Sequence, residues 1–328
     1  MIGNPLTRRW RALAAAVALV AGLGTAGAAQ DYPSQEIHFV LPMAPGGGVD
    51  TVSRAVAQKL SERIGQPVVV QNKPGAGGLI AASYVARAQP DGYTVFVADT
   101  GQLSVNPSLY KNVPYDTSKP FVPVTEAVSA PLFLAVNAAL PVHSVQELID
   151  YAKAHPQTPF GSTGVGSVHH LGMQLLATRA GLDMVHVPYK GASQSTMALV
   201  AGDVPVALSA LPSLRGHLEA GKLRLLAVAT PERSVLMPDL PTIAESGLKD
   251  FSVAVNIGFV LPPATPDSIA QYLYEQIGEV MKDPALQKQL MTMGLVPMMN
   301  TPAEYGRNIE ADTVKYREVI EASGATAN

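Results

Sequence analysis

The sequence predicts an α/β fold in two lobes, and three observations carry that prediction. From Ile37 onward, short apolar runs alternate with longer segments whose apolar residues recur at helical spacing, as when strands feed helices in a mostly parallel sheet. The 328 residues exceed one ordinary core and fit about two domains of roughly 150 residues. The 28 glycines and 27 prolines are scattered without a period, which excludes collagen and marks many tight connections.

The N-terminus reads as an export signal over residues 1–29. Arg8, Arg9 and Arg11 precede an apolar run from Ala12 to Leu23, and the small residues Ala26 to Ala29 place cleavage near Ala28/Ala29. That run is shorter than the ~20 residues a bilayer span needs. The Arg8-Arg9 pair leaves Sec and twin-arginine export both open. Loss of these three arginines moves the formal charge from −3 to about −6. An acidic chain without a Lys/Arg run has no electrostatic footprint for nucleic acid, so any anion it binds is held by local dipoles.

Ile37 to Leu41 reads as the first strand, Pro42 to Gly48 as a loop, and Asp50 to Ile64 as a helix. Val68 to Val70 is the next strand, Asn72 to Gly78 a turn leading into a helix ending near Ala88, and Tyr93 to Ala98 the third strand. Phe121 to Val136 reads as two β-rich runs joined near Ser129 to Pro131, the first crossover between lobes. The second lobe opens with a Ser144…Glu147 capping box and continues through a strand at Phe160 to Ser162 and a helix from about His169 to Ala180. Strand Met184 to Val187, helix Ser193 to Ala201, strand Val204 to Ser209, helix Leu214 to Ala220 and strand Leu223 to Ala229 complete it. Val253 to Leu261 crosses back, and Thr301-Pro302-Ala303-Glu304 starts a helix running to about Ala322. The expected boundaries are 30–130 with 254–328 for lobe 1, and 131–253 for lobe 2.

The absence of cysteine excludes disulfides, thiolate metal sites and cysteine nucleophiles. Pro45-Gly46-Gly47-Gly48-Val49-Asp50 lies between a strand and a helix. Its glycines let a ligand approach backbone N–H groups beside a helix N-terminus; a tight turn capped by Asp50 is the competing reading. No Gly-Lys-Ser/Thr follows, so it is not a nucleotide loop. Gly75-Ala76-Gly77-Gly78 reads as a turn, because its sixth position is Ile80 and no strand leads into it.

Gly161-Ser162-Thr163-Gly164-Val165-Gly166-Ser167 is a second cradle of hydroxyls and free N–H groups at a helix start. Two facing cradles imply a cleft. His169 and His170 lack the aligned carboxylate of a metal site, so no metal or cofactor is expected. A secreted serine hydrolase using Ser167 and His170 would need a nucleophile elbow and an orienting acid, and neither is evident. Tyr189, in Pro188-Tyr189-Lys190-Gly191, and Ser209, at the end of an apolar strand, sit where open α/β sheets place ligands.

Taken in order, these motifs resemble the periplasmic receptor subunits of tripartite tricarboxylate transporters, the Bug-type receptors. The likeness runs through the PGGG-V-D loop, Pro74 to Gly78, Pro90-Asp91-Gly92-Tyr93, Gly161 to Leu171, Pro188 to Gly191, Gly221 to Arg224 and Pro238 to Thr242. It implies a type II periplasmic-binding-protein fold: two α/β lobes, two crossover strands, and a cleft that closes over a small carboxylate. It further implies a periplasmic receptor without enzymatic activity, delivering its ligand to a transporter and expected to act as a monomer. A binding protein that feeds a sensor kinase is the alternative. Carried over, Ala44, Pro45, Gly46, Gly47, Gly48 and Asp50 hold ligand through backbone groups and waters. Ser162, Thr163, Gly164, Val165, Gly166, Ser167 and His170 form the direct clasp. The chain departs from the pattern at Ser209, where relatives often carry aspartate, and at Asn256-Ile257-Gly258, where they often carry an aromatic pair before the glycine. A plain mono- or dicarboxylate, aromatic or aliphatic, is therefore expected over an amino acid.

Overall fold

The computed structural model describes residues 32–327; the expected signal peptide and its cleavage near Ala28/Ala29 lie outside them. All regular elements lie within the unit that begins at Glu36. In chain order they begin with β1 (Ile37–Leu41), α1 (Gly48–Ile64), β2 (Val68–Asn72), α2 (Leu79–Ala86), β3 (Thr94–Asp99), α3 (Asn106–Leu109) and the long β4 (Val122–Asn137). Then come α4 (Val145–Ala154), β5 (Thr158–Ser162), α5 (Val168–Ala180), β6 (Met184–Pro188), α6 (Ala192–Ala201), β7 (Val206–Ala210), α7 (Leu211–Glu219) and β8 (Leu223–Val228). Finally β9 (Ala254–Leu261), α8 (Asp267–Met281), α9 (Pro284–Thr292), β10 (Val296–Pro297) and α10 (Pro302–Ser323) close the chain. No helix among the described residues is long and apolar enough to cross a membrane.

The strands follow the order β2-β1-β3-β9-β4-β7-β5-β6, with β8 and β10 also paired to β4. The sheet is mixed, not mostly parallel as the alternation of elements suggested. β1 pairs in parallel with β2 and β3, and β5 with β6 and β7, whereas every pairing of β4 and β9 is antiparallel. The strands that cross back set that difference, since they return against the direction of the βαβ units on either side.

The stretch expected to be two short runs is one 16-residue strand. Pro131 does not break it. β4 pairs with β9 as far as Pro131↔Ala254, and from Leu132↔Ala210 it pairs with β7, so the missing proline N–H falls where the partner changes. Alternation along β4 then divides the apolar residues between two faces. Leu132, Leu134 and Val136 pack with Leu171 and Leu175 of α5, Leu109 of α3 and Tyr316 of α10. Phe133 and Ala135 pack with Ala198 and Leu199 of α6 and Leu214 of α7. A separate cluster joins Val40, Phe96 and Ala98 to Ala81, Ala82 and Val85 of α2.

Candidate functional site

The triple-glycine turn is shaped by Asp50 from behind. α1 starts at Gly48 with Gly47 as N-cap and no capping side chain, so Asp50 is not the cap but a first-turn residue. Its carboxylate reaches back to accept the Gly46 N–H at 3.0 Å, while Asn72 Nδ2 donates to it at 2.9 Å and Arg54 at 3.0 Å. The Arg54 hydrogen bond, helped by Gly46 and Asn72, holds this buried carboxyl at about 2 against desolvation. Asp50 therefore braces the loop, and Gly46, at φ +90°, takes the bend that this bond requires. Residues 44–48 are exposed. A Cβ at Gly46 or Gly48 would meet nothing within 4 Å, and one at Gly47 only the Ala44 carbonyl at 4.0 Å. The turn thus offers open backbone next to first-turn N–H groups that a helix cannot satisfy itself.

The second turn is knitted from its own hydroxyls. Ser162, fully buried at the end of β5, accepts the Gly164 N–H at 3.1 Å and lies 2.6 Å from His186 Nε2. Thr163 Oγ1 lies 3.2 Å from His169 Nδ1. Ser167 alone caps α5, accepting the His170 N–H at 3.2 Å while donating to the Gly164 carbonyl at 2.8 Å. The Gly166 N–H donates to His170 Nδ1 at 3.1 Å, so the neutral ring carries its proton on Nε2. Gly164 and Gly166 take φ of +133° and +74°, while Val165 is exposed.

The imidazoles here stay uncharged near neutral pH. Burial pushes His169, His170 and His186 down to about 4, and His186 adds repulsion on His170. His170 stacks on His186 at 3.6 Å between centroids, and His186 on Phe160 at 5.3 Å. Among the described residues no three His, Asp or Glu side chains come together as metal ligands. Ser167 Oγ and the His170 ring do not bond each other, since each faces a backbone partner. That removes the hydrolase pairing. Ser162 and His186 are close enough for one, but Ser162 is fully buried and tied to Gly164.

α3 connects the glycine turns of the two halves. A side chain at Gly166 would run into Leu109, and one at Gly77 into the Tyr110 hydroxyl. Asn106 Nδ2 donates to the Gly77 carbonyl at 3.0 Å, and a Cβ at Gly78 would lie 2.9 Å from Pro42, the residue that leads into the triple-glycine turn. The Tyr189 N–H donates to the Ser162 carbonyl at 3.1 Å, but its ring turns inward beside Gly161 and joins the apolar cluster under α6. Ser209 is buried on β7 opposite Phe133. Sequence reading passed over His186, Asn106 and Leu109. Strand alternation at Met184-Val185-His186-Val187 was the one available signal, since it sets His186 in register with Phe160.

Residues 52–325 match the model of the tripartite tricarboxylate transporter family receptor. The chain belongs to that receptor family. The matched segment starts just past the triple-glycine turn and includes the whole second turn. Among solved receptors, Rhodopseudomonas palustris Rpa4515 with adipate is 34% identical, with a TM-score of 0.75 over 90% of this chain and 99% of that one. The periplasmic binding protein BugD is 30% identical, with a TM-score of 0.71 over 90% of this chain and 100% of that one. MatC from R. palustris with bound malate is 28% identical, with a TM-score of 0.71 over 88% of this chain and 100% of that one. The tripartite receptor family binds solutes and is not an enzyme family, and its members work in the periplasm.

Proposed function

We propose that this receptor captures a small organic mono- or dicarboxylate between the 44–50 turn and the 162–170 turn and delivers it to a tripartite tricarboxylate-type membrane transporter. It works as a monomer in the periplasm after removal of residues 1–29. The observation that carries the reading is the second turn, where the first-turn N–H groups of α5 that Ser167 does not cap lie beside a neutral His170 whose ring proton is on Nε2. Such donors suit a carboxylate. Adipate and malate in related receptors support that class.

One turn is insufficient. About three charge-assisted hydrogen bonds at roughly 1.5–3 kcal/mol each must reach about 8 kcal/mol net for micromolar binding after the cost of association. Closure of a second lobe supplies the remainder. The lobes are 30–130 with 254–328, and 131–253, pivoting where β4 changes partner after Pro131 and where β9 begins at Ala254.

A thermal-shift screen of the mature protein against mono-, di- and tricarboxylates and aromatic acids tests the reading, because a ligand bound only by the folded form raises Tm. At least one carboxylate raises Tm by several degrees and gives a saturable heat by calorimetry. Stabilisation by neutral sugars or amines and by no carboxylate overturns the proposal.

A further inference from the structure

We infer that the cavity where β4 and β9 pair beneath α10 is a second small-molecule site, selective for a primary alkylammonium ion held by Glu126. The cavity measures about 650 Å³, a volume that suits a small organic molecule. It lies between α10, β10, the paired strands β4 and β9, and the 230–235 segment that follows β8. No residue of the 44–50 turn or the 162–170 turn lines it, so it is separate from the carboxylate site proposed above.

A bulge aims Glu126 into this cavity. Glu126, Ser129 and Pro131 pair with Gly258, Asn256 and Ala254 of β9, three partners at even spacing that share one face. On β4 itself the step from Glu126 to Ser129 is odd, and the register shift between Glu126 and Val128 puts both side chains on that face. Glu126 is 3% exposed. Asn300 and Asn308 donate to one of its carboxylate oxygens, Asn308 at 2.8 Å, and both donors are neutral. The two cations on the cavity wall are engaged elsewhere. Lys315 donates to Asp312 at 2.6 Å and to the Ser252 carbonyl at 2.8 Å, and Arg233 donates to both oxygens of Glu245. Among the described residues no cation forms an ion pair with Glu126. Burial raises this carboxyl, and Asp312 adds repulsion, against the bonds from Asn308, Asn256 and Asn300.

A buried carboxylate without a counter-charge is costly, and a ligand cation removes that cost. The acceptor oxygens of Glu126 call for N–H donors. Among the described residues no aromatic ring lines the cavity, so a quaternary ammonium would lack the ring faces that hold one. Pro131, Val296 and Met298 offer apolar surface to a short alkyl chain.

Thermal shift and calorimetry on the mature protein with n-butylammonium chloride, against tetramethylammonium chloride and sodium chloride at equal ionic strength, test this. Butylammonium at ~10 mM raises Tm by several degrees and gives a saturable heat, and neither control does. Glu126→Gln keeps an acceptor oxygen for Asn308 and lowers butylammonium affinity by about tenfold or more, the value of one hydrogen bond to a charged group. It does not lower the Tm of the ligand-free protein, because it removes an uncompensated charge. Ala311→Leu, at an exposed position of α10 on the cavity wall, fills the space and lowers the affinity several-fold with Glu126 intact. Absence of a Tm shift and of saturable heat with butylammonium overturns the site, whatever the carboxylates do. Equal binding of tetramethylammonium overturns the selection of a primary ammonium. Undiminished affinity in a folded Glu126→Gln or Ala311→Leu protein removes the ligand from this cavity.

Discussion

His170 and His186 stack nearly parallel, 18° between ring planes and 3.6 Å between centroids, in a layer completed by Phe160. That packing favours neutral rings. Burial first, and mutual repulsion at His170, lower both groups from the ordinary 6.5 to about 4. The unfolded chain therefore binds more protons than the fold between about pH 6.5 and 4, and stability falls as pH drops through that window. Asp99, raised to about 6 by burial, opposes the trend, but His169 adds to it. Thermal melts from pH 7 to 4.5 show a falling Tm, and His186→Phe, which keeps the stack and removes one proton site, gives a shallower fall. Parallel profiles for the two proteins would count against the stack as the acid-sensitive element.

Asp50 titrates in a different window. Its carboxyl sits at about 2 against an ordinary 3.8, so its contribution is complete above the unfolded value and is lost as pH falls from about 3.8 to 2. Asp50→Ala leaves Gly46 N–H without its acceptor and Asn72 without one of its two, a loss of about 1–3 kcal/mol at pH 7 by denaturant titration. Arg54→Ala has the smaller effect, because that guanidinium is half exposed. A larger loss from Arg54 than from Asp50 would show that the brace has been assigned to the wrong partner.

Legibility followed the range of the interactions. The Thr301/Glu304 capping box is complete in the structure, as its four residues specify locally. At the start of α4, Ser144 accepts the Glu147 N–H, but Glu147 answers at His143 instead of Ser144, a shift that residue spacing does not reveal. β2 extends to Asn72 through the polar Gln71-Asn72 pair, whose side chains bond His38, Met43, Arg54 and Asp50. Least legible was 101–109, where a π-helical turn leads into α3. Gly101, Ser104 and Pro107 argue against a helix locally, and the segment is held by distant contacts: Asn106 to Gly77 and Leu109 to the core under α5. The two glycine-rich turns were visible as motifs. What surrounds them was not, because His186 and Leu109 act through neighbours far away in the chain, and Asp50 joins the distant Asn72 to its local partners Gly46 and Arg54.

Gly166 is needed on two counts, its φ of +74° and the Leu109 side chain lying where a Cβ would go. Gly166→Ala therefore destabilises by about 1–3 kcal/mol from overpacking with added backbone strain. Leu109→Ala removes a buried leucine and costs about 2–5 kcal/mol alone. In the double variant the new methyl group enters the space Leu109 vacates, so the combined loss is smaller than the two single losses added. Additive losses in a denaturant double-mutant cycle would show that α3 and the clasp do not press on each other.

The 44–50 turn stands outside the segment matched to the receptor family, so its part in binding needs its own test. Gly47 is the position to change. Its φ of −77° suits any residue and its Cβ site is open, whereas Gly46 at φ +90° would be strained by a side chain. Gly47→Val therefore folds with little change in Tm while placing two methyl groups over the backbone that a ligand would approach. Ser167→Ala makes a poorer single test, because it also removes the α5 cap and costs about 1 kcal/mol of stability whether or not Ser167 touches ligand. Carboxylate affinity by calorimetry falls at least about tenfold for Gly47→Val, equal to roughly 1.4 kcal/mol, through loss of the contacts that closure adds. Undiminished affinity in a well-folded Gly47→Val protein would remove the first turn from the site and leave the second turn to hold the ligand alone.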